Sequence, residues 1–159
     1  MKQYISRARI FVDRYVKDGY VGSDNFNRYL NNYEEKVRPI VARAICLRLI
    51  EKISLKNYRK LLKGLTSLEG YVDKDKIKVI QERIEEVCRE YKRKKEKNYR
   101  DLKIELENPL KRELRRQGIS GSAIEVNVEA SPQWNEMMFA VDPTYNSLLN
   151  RVKKEFGAM

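Results

Sequence analysis

The chain has 159 residues, 42% hydrophobic and 36% charged, with 34 basic and 23 acidic side chains and no histidine. That length suits one domain with a real core rather than two large ones. Seven glycines and four prolines are too few for an all-β fold or a disordered chain, and no apolar run approaches the roughly 18 residues of a membrane span.

Without histidine, the commonest general base and metal ligand are missing, and so are the Ser-His and Cys-His nucleophile pairs. Neither an enzyme nor a cofactor is expected. Cys46 and Cys88 lie far apart and read as small buried hydrophobes. The N-terminus, Met1 to Arg9, lacks the apolar stretch of a secretory signal, so a cytoplasmic location is expected.

Taken in chain order, Tyr4, Ile5, Ala8, Phe11, Val12, Tyr15 and Val16 recur at helical spacing up to Gly19. Ser23 or Asp24 can cap a second helix with Phe26, Tyr29, Leu30, Tyr33 and Val37 on its buried face. Pro39 opens a third helix, where its missing N–H costs nothing. That helix, Ile40 to Ile53, is the most hydrophobic and the expected centre of the fold. Ser54 can cap a short fourth helix carrying Leu55, Tyr58, Leu61, Leu62 and Leu65.

Asp73 or Asp75 then caps a long helix extending to Gln117. Its apolar stripe, Ile77, Ile80, Ile84, Val87 and Tyr91, gives way at Lys92-Arg93-Lys94-Lys95-Glu96-Lys97-Asn98 and resumes at Tyr99, Leu102, Leu106, Leu110 and Leu114. The polar stretch has no Gly, Pro or Ser, so a continuous helix bent near Pro109 is expected. Unbroken, it would run about 65 Å at 1.5 Å per residue. Gly118 can close it in a left-handed cap, with Ile119 packing back on Leu114.

Beyond that point Ile124, Val126 and Val128 alternate with polar residues, which reads as an extended segment. No second strand exists to pair with it, so a groove, a second copy or a partner's sheet must satisfy its backbone. Ser131-Pro132 and Asp142-Pro143 read as two helix starts. The first helix carries Trp134, Met137, Met138 and Val141, and the second Tyr145, Leu148, Leu149, Val152 and Phe156.

The expected fold is therefore all-α: an N-terminal helical bundle (1–72), a long, partly exposed helix (73–118) and a C-terminal arm of extended segment and two short helices (119–159). The first 70 residues hold 15 basic and 7 acidic side chains, residues 71–118 hold 16 and 11, and the arm holds 3 and 5. A basic body with a mildly acidic tail favours anionic partners.

Two surfaces stand out. On the long helix, Arg89, Lys92, Arg93, Lys94, Lys95, Lys97 and Arg100 can contact phosphates, with Tyr91 and Tyr99 near enough to stack on bases. The bland alternative is a solvated face, and the interleaved Glu90 and Glu96 support it. In the arm, Trp134, Met137 and Met138 with Ile124, Val126 and Val128 resemble interface anchors; the bland alternative is that they complete the chain's own core. The leading expectation is a non-enzymatic interaction or assembly protein with a protein partner or itself in a homodimer. Nucleic-acid binding through residues 89–100 is the alternative.

Overall fold

The computed structural model describes residues 2–17, 23–119 and 126–158, and these residues are helical with no strand. The fold is all-α. Six helices follow in order: α1 (Lys2–Lys17), α2 (Ser23–Leu30), α3 (Arg38–Lys52), α4 (Arg59–Thr66), α5 (Lys74–Arg116) and α6 (Pro132–Ala158). Contacts divide the chain into two compact units, residues 1–88 with 146–159 and residues 89–145. The division falls inside α5 and α6 rather than at residues 72 and 118, because each long helix contributes one part to each unit.

In the first unit α3 is the centre, packing against α1, α2 and α4. Val41, Ala42, Ala44, Ile45, Cys46, Leu49 and Ile50 are buried on it. Burial on several sides is what its closely spaced apolar residues require. From α1 it meets Ala8, Phe11 and Val12, whereas Ile5 and Tyr15, although on the predicted stripe, are exposed. The end of α6 supplies Leu149, Val152 and Phe156 to the same core.

Side chains close the helix ends here. Arg38 Nε donates to the Leu30 and Tyr33 carbonyls at 3.2 and 3.1 Å beyond α2. Lys153 on α6 donates its ammonium to the carbonyls of Ile53 and Glu51 at the C-terminal end of α3. A cation suits that end because the helix dipole is negative there, although burial holds the Lys153 ammonium below the usual lysine range. Gln81 on α5 reaches Leu62 O and Thr66 Oγ1 of α4, each at 2.7 Å.

Ser54 does not cap α4. Its hydroxyl accepts from Asn57 N at 3.0 Å in a separate turn, and the helix starts only at Arg59. A local side chain-to-backbone bond competed with the helix start and won.

α5 runs unbroken through both the lysine-rich stretch and Pro109. Asp73 Oδ1 accepts from Asp75 N at 2.9 Å, so Asp73 is its cap. Gly118 takes φ +74°, with Ile119 N bonded to Leu114 O at 2.8 Å and Gly118 N to Arg115 O at 3.1 Å. These are the paired bonds of a Schellman closure.

The C-terminal region departs from expectation in two ways. Ile124 lies outside the described residues, Val126 and Asn127 have no regular structure, and Val128 begins a single 3-10 turn ending at Ala130. Asn127 Oδ1 accepts from Ala130 N and the Ser131 hydroxyl donates to Val128 O, so the turn is tied locally instead of extending as a strand. The two short helices are one helix, α6, with Pro143 inside it. Ser131 caps it as expected, accepting from Trp134 N at 3.2 Å. At Pro143 the ring is exposed, and the following Thr144 Oγ1 donates to Ala140 O at 3.2 Å.

Two outcomes test this unit. Phe156 is 1% exposed, and Phe156→Ala is expected to cost about 3–5 kcal/mol in urea unfolding. Arg48 grips Asp13 through two bonds of 2.9 Å and Lys52 adds a third contact, and the Arg48 hydrogen bond first of all pulls the Asp13 carboxyl down to about 2 from 3.8. A lowered folded value contributes stability above 3.8 that is lost as pH falls toward 2. Asp13→Asn is expected to flatten that acid limb in unfolding titrations.

Candidate functional site

The second unit joins residues 89–116 of α5 to the 3-10 turn and to residues 132–145 of α6. Its core line on α5 is Tyr91, Lys95, Asn98 and Leu102, at spacings of four, three and four. Tyr91, Asn98 and Leu102 are buried and Lys95 is half-buried. The stretch read as polar on every side therefore has a buried side, built from an amide and the apolar stem of a lysine. The recurrence was present in the sequence but carried by polar residues.

Trp134 and Met138 of α6 are buried in the same unit. Trp134 meets Tyr99 edge-on, ring centres 5.9 Å apart, and Tyr91 meets Tyr145 at 5.7 Å. The Tyr91 hydroxyl donates to Asp142 Oδ1 at 2.7 Å. Burial foremost, and then Asp142, push the Tyr91 hydroxyl up to about 12. Asp142, expected to cap a helix, is instead the acceptor that fixes Tyr91.

Among the proposed interface residues, Trp134, Met138 and Val128 are buried inside the unit, while Met137 and Val126 are half-buried. Their apolar atoms serve the chain's own packing.

The proposed anion contacts lie differently. Arg89, Lys92, Arg93, Lys94, Lys97 and Arg100 are exposed, and Lys95 alone is turned partly inward. At about 100° per residue, Arg93 and Arg100 fall opposite the Tyr91–Leu102 line, with Arg89 and Lys97 beside them. Seven basic and two acidic residues occupy positions 89–100. Among the described residues, Lys92, Arg93, Lys94, Lys97 and Arg100 form no ion pair. These five cations keep their charge open to solvent, which a solvated face and an anion-contacting face share.

A second group of basic residues, Lys56 before α4 and Arg59, Lys60 and Lys63 on it, is exposed, with Arg59 5.9 Å from the Tyr58 ring. It sits opposite buried Leu61, Leu62 and Leu65, as ordinary amphipathic spacing requires.

Farther along α5 the packing thins. Leu106 and Leu114 are half-buried, Leu110 is 49% exposed, and Ile104 and Ile119 are exposed. Both cysteines are free and buried. Burial pushes the Cys46 thiol up to about 12 and the Cys88 thiol to about 11, so neither is an activated nucleophile. No group of three His, Cys, Asp or Glu among the described residues is placed to hold a metal ion.

Fold and surface define an all-helical protein whose distinguishing feature is a long helix, rich in exposed cations in its middle and carrying a thinly covered row of leucines toward its end. The chain belongs to a family of unknown function, DUF6657, whose model matches residues 27–158. The match begins after α1. No curated protein and no solved structure matches the chain.

Tyr91→Phe leaves Asp142 without its donor, and a loss of about 1–2 kcal/mol is expected in urea unfolding. Because the folded hydroxyl titrates near 12 and an ordinary one near 10, its contribution is present below pH 10 and lost between those values. The variant is expected to show a shallower alkaline decline.

Proposed function

We propose that this is a non-enzymatic interaction and assembly protein that docks through the C-terminal part of α5, with a second copy of the chain as its first partner. One observation carries the reading: Leu106, Leu110 and Leu114 make an apolar ridge that the described residues leave only partly covered, Leu110 being 49% exposed. Ridges repeating every four residues are those that crossing helices interdigitate.

The ridge is symmetric about Leu110. A two-fold axis through Leu110 sets Leu106 against the partner subunit's Leu114. Such a patch is self-complementary, as an isologous contact must be. No helix of the described residues is long and apolar enough to cross a membrane, and buried free thiols accord with a cytoplasmic setting.

A second reading, nucleic-acid binding, is favoured by the open cations at Lys92, Arg93, Lys94, Lys97 and Arg100. Each phosphate contact would add about 0.9 to the slope of log affinity against log salt on a duplex.

Light scattering tests the first reading. The expected mass is twice the 18.9 kDa of the chain, falling to the single-chain value in Leu110→Glu with helix content unchanged. A single-chain mass at about 0.1 mM, where contacts of even modest affinity are populated, overturns it. For the second reading, mixed-sequence oligonucleotide titrated at two salt concentrations is expected to bind less in Lys92→Ala/Arg93→Ala/Lys94→Ala, with mass unaffected. Equal binding by that variant rules out this face.

A further inference from the structure

α1 and α2 enclose a groove of about 620 Å³ lined by Arg7, Ile10, Phe11, Arg14 and Tyr15 of the first helix and Asn25, Arg28 and Tyr29 of the second, and reaching Asn32 and Tyr33 just beyond α2. Volumes of about 300–1,000 Å³ are those of small-molecule sites. The lining holds three guanidinium groups and no carboxylate.

Local sequence explains that one-sided charge. Asp13 is the one acidic residue of α1, and Arg48 and Lys52 of α3 hold it away from the groove. Among the described residues, Arg7, Arg14 and Arg28 form no ion pair. All three are exposed. Like charges around one concavity repel one another, and a bound anion relieves that repulsion. Guanidinium groups suit phosphate in particular, offering a planar fork of donors.

The rest of the lining is not what a bare anion needs. The Tyr29 ring lies flat on Phe11, centres 3.9 Å apart and planes 9° from parallel, and Tyr15 leans on the same Phe11 at 4.9 Å. Ile10 is 61% exposed, an apolar side chain without cover. Tyr29 and Tyr33 hydroxyls are 2.9 Å apart, and burial pushes Tyr29 above the usual tyrosine range, so it stays a neutral donor. The Asn25 and Asn32 amides carry donors and acceptors of the kind that read the edge of a heterocycle. Arg7 and Arg14 are separated by about 10 Å along the helix, so cations border the aromatic lining over a span longer than one phosphate.

We propose that this groove binds a nucleoside phosphate, its base against the Ile10–Tyr29 lining and its phosphate between Arg7, Arg14 and Arg28, either free or as one unit of a single strand. The site shares no residue with the α5 ridge, and its failure leaves the dimer reading intact, as the reverse does. It includes none of the cations of α5 either.

Calorimetric titration of the full chain with AMP, ATP, hexauridylate, uridine and inorganic tripolyphosphate tests it. Nucleotide or hexauridylate is expected to bind at least ten-fold tighter than either uridine or tripolyphosphate. Binding to hexauridylate without AMP or ATP identifies the strand as the source, whereas binding to the mononucleotides identifies the free ligand. Arg7→Gln/Arg14→Gln and Arg28→Gln are each expected to weaken binding ten-fold or more. Ile10→Glu, which adds a carboxylate at an exposed position and leaves the arginines in place, is expected to do the same without lowering the melting temperature. Lys92→Ala/Arg93→Ala/Lys94→Ala is expected to leave mononucleotide binding unchanged. The proposal is overturned if none of the nucleotide probes binds at millimolar concentration, if tripolyphosphate binds as well as ATP, or if the groove variants bind as the parent does.

Discussion

A helix that must carry a dense run of cations and still pack on a neighbour has few ways to do both, and residues 89–102 take one of them. The buried line holds one aromatic ring, one lysine stem, one amide and one leucine, at Tyr91, Lys95, Asn98 and Leu102. So little aliphatic area means that fixed geometry must do what greasy contact does elsewhere. The Tyr91–Asp142 hydrogen bond and the two edge-on ring contacts, Tyr91–Tyr145 and Tyr99–Trp134, supply it. A polar side chain on a packed line also disfavours sliding of one helix past the other, the role best attested for a single Asn in coiled coils. With that line settled, the remaining charged side chains of the stretch point outward.

Much of this architecture was legible from residues whose chemistry leaves one option. Pro39 near the start of α3, Asp73 at the cap of α5 and Gly118 in its left-handed closure each stand where the sequence places them. The density of apolar residues in α3 named the centre of the first unit. What was hidden shares a different cause. Ser54, Asp142 and Asn98 are polar residues with several permitted partners, and tertiary context chose among them. Ser54 turned to Asn57, and Asp142 to a tyrosine 51 positions away. Asn98 went into the core despite its amide.

The surface features were readable to different depths. Charge density on α5 was plain, although the absence of ion pairs at Lys92, Arg93, Lys94, Lys97 and Arg100 among the described residues needed side-chain positions. The Trp134–Met138 face was correctly singled out as apolar, but periodicity alone does not distinguish a partner's contact from a chain's own. The α1–α2 groove was invisible to pattern: Arg7 and Arg14 look like the solvated side of an amphipathic helix until Arg28, from another helix, is found lining the same concavity.

The closing element of the first unit arrives late. Leu149, Val152, Phe156 and the ammonium that finishes α3 all come from the end of α6. At a synthesis rate of about 5–20 residues per second, some 70 residues beyond Cys88 take several seconds to make. During that interval the apolar side of α3 lacks its last cover, and the nascent N-terminal helices present greasy surface to the cell. This topology therefore places its exposure in the chain being made, whose first core stays incomplete until the end of α6 is synthesised.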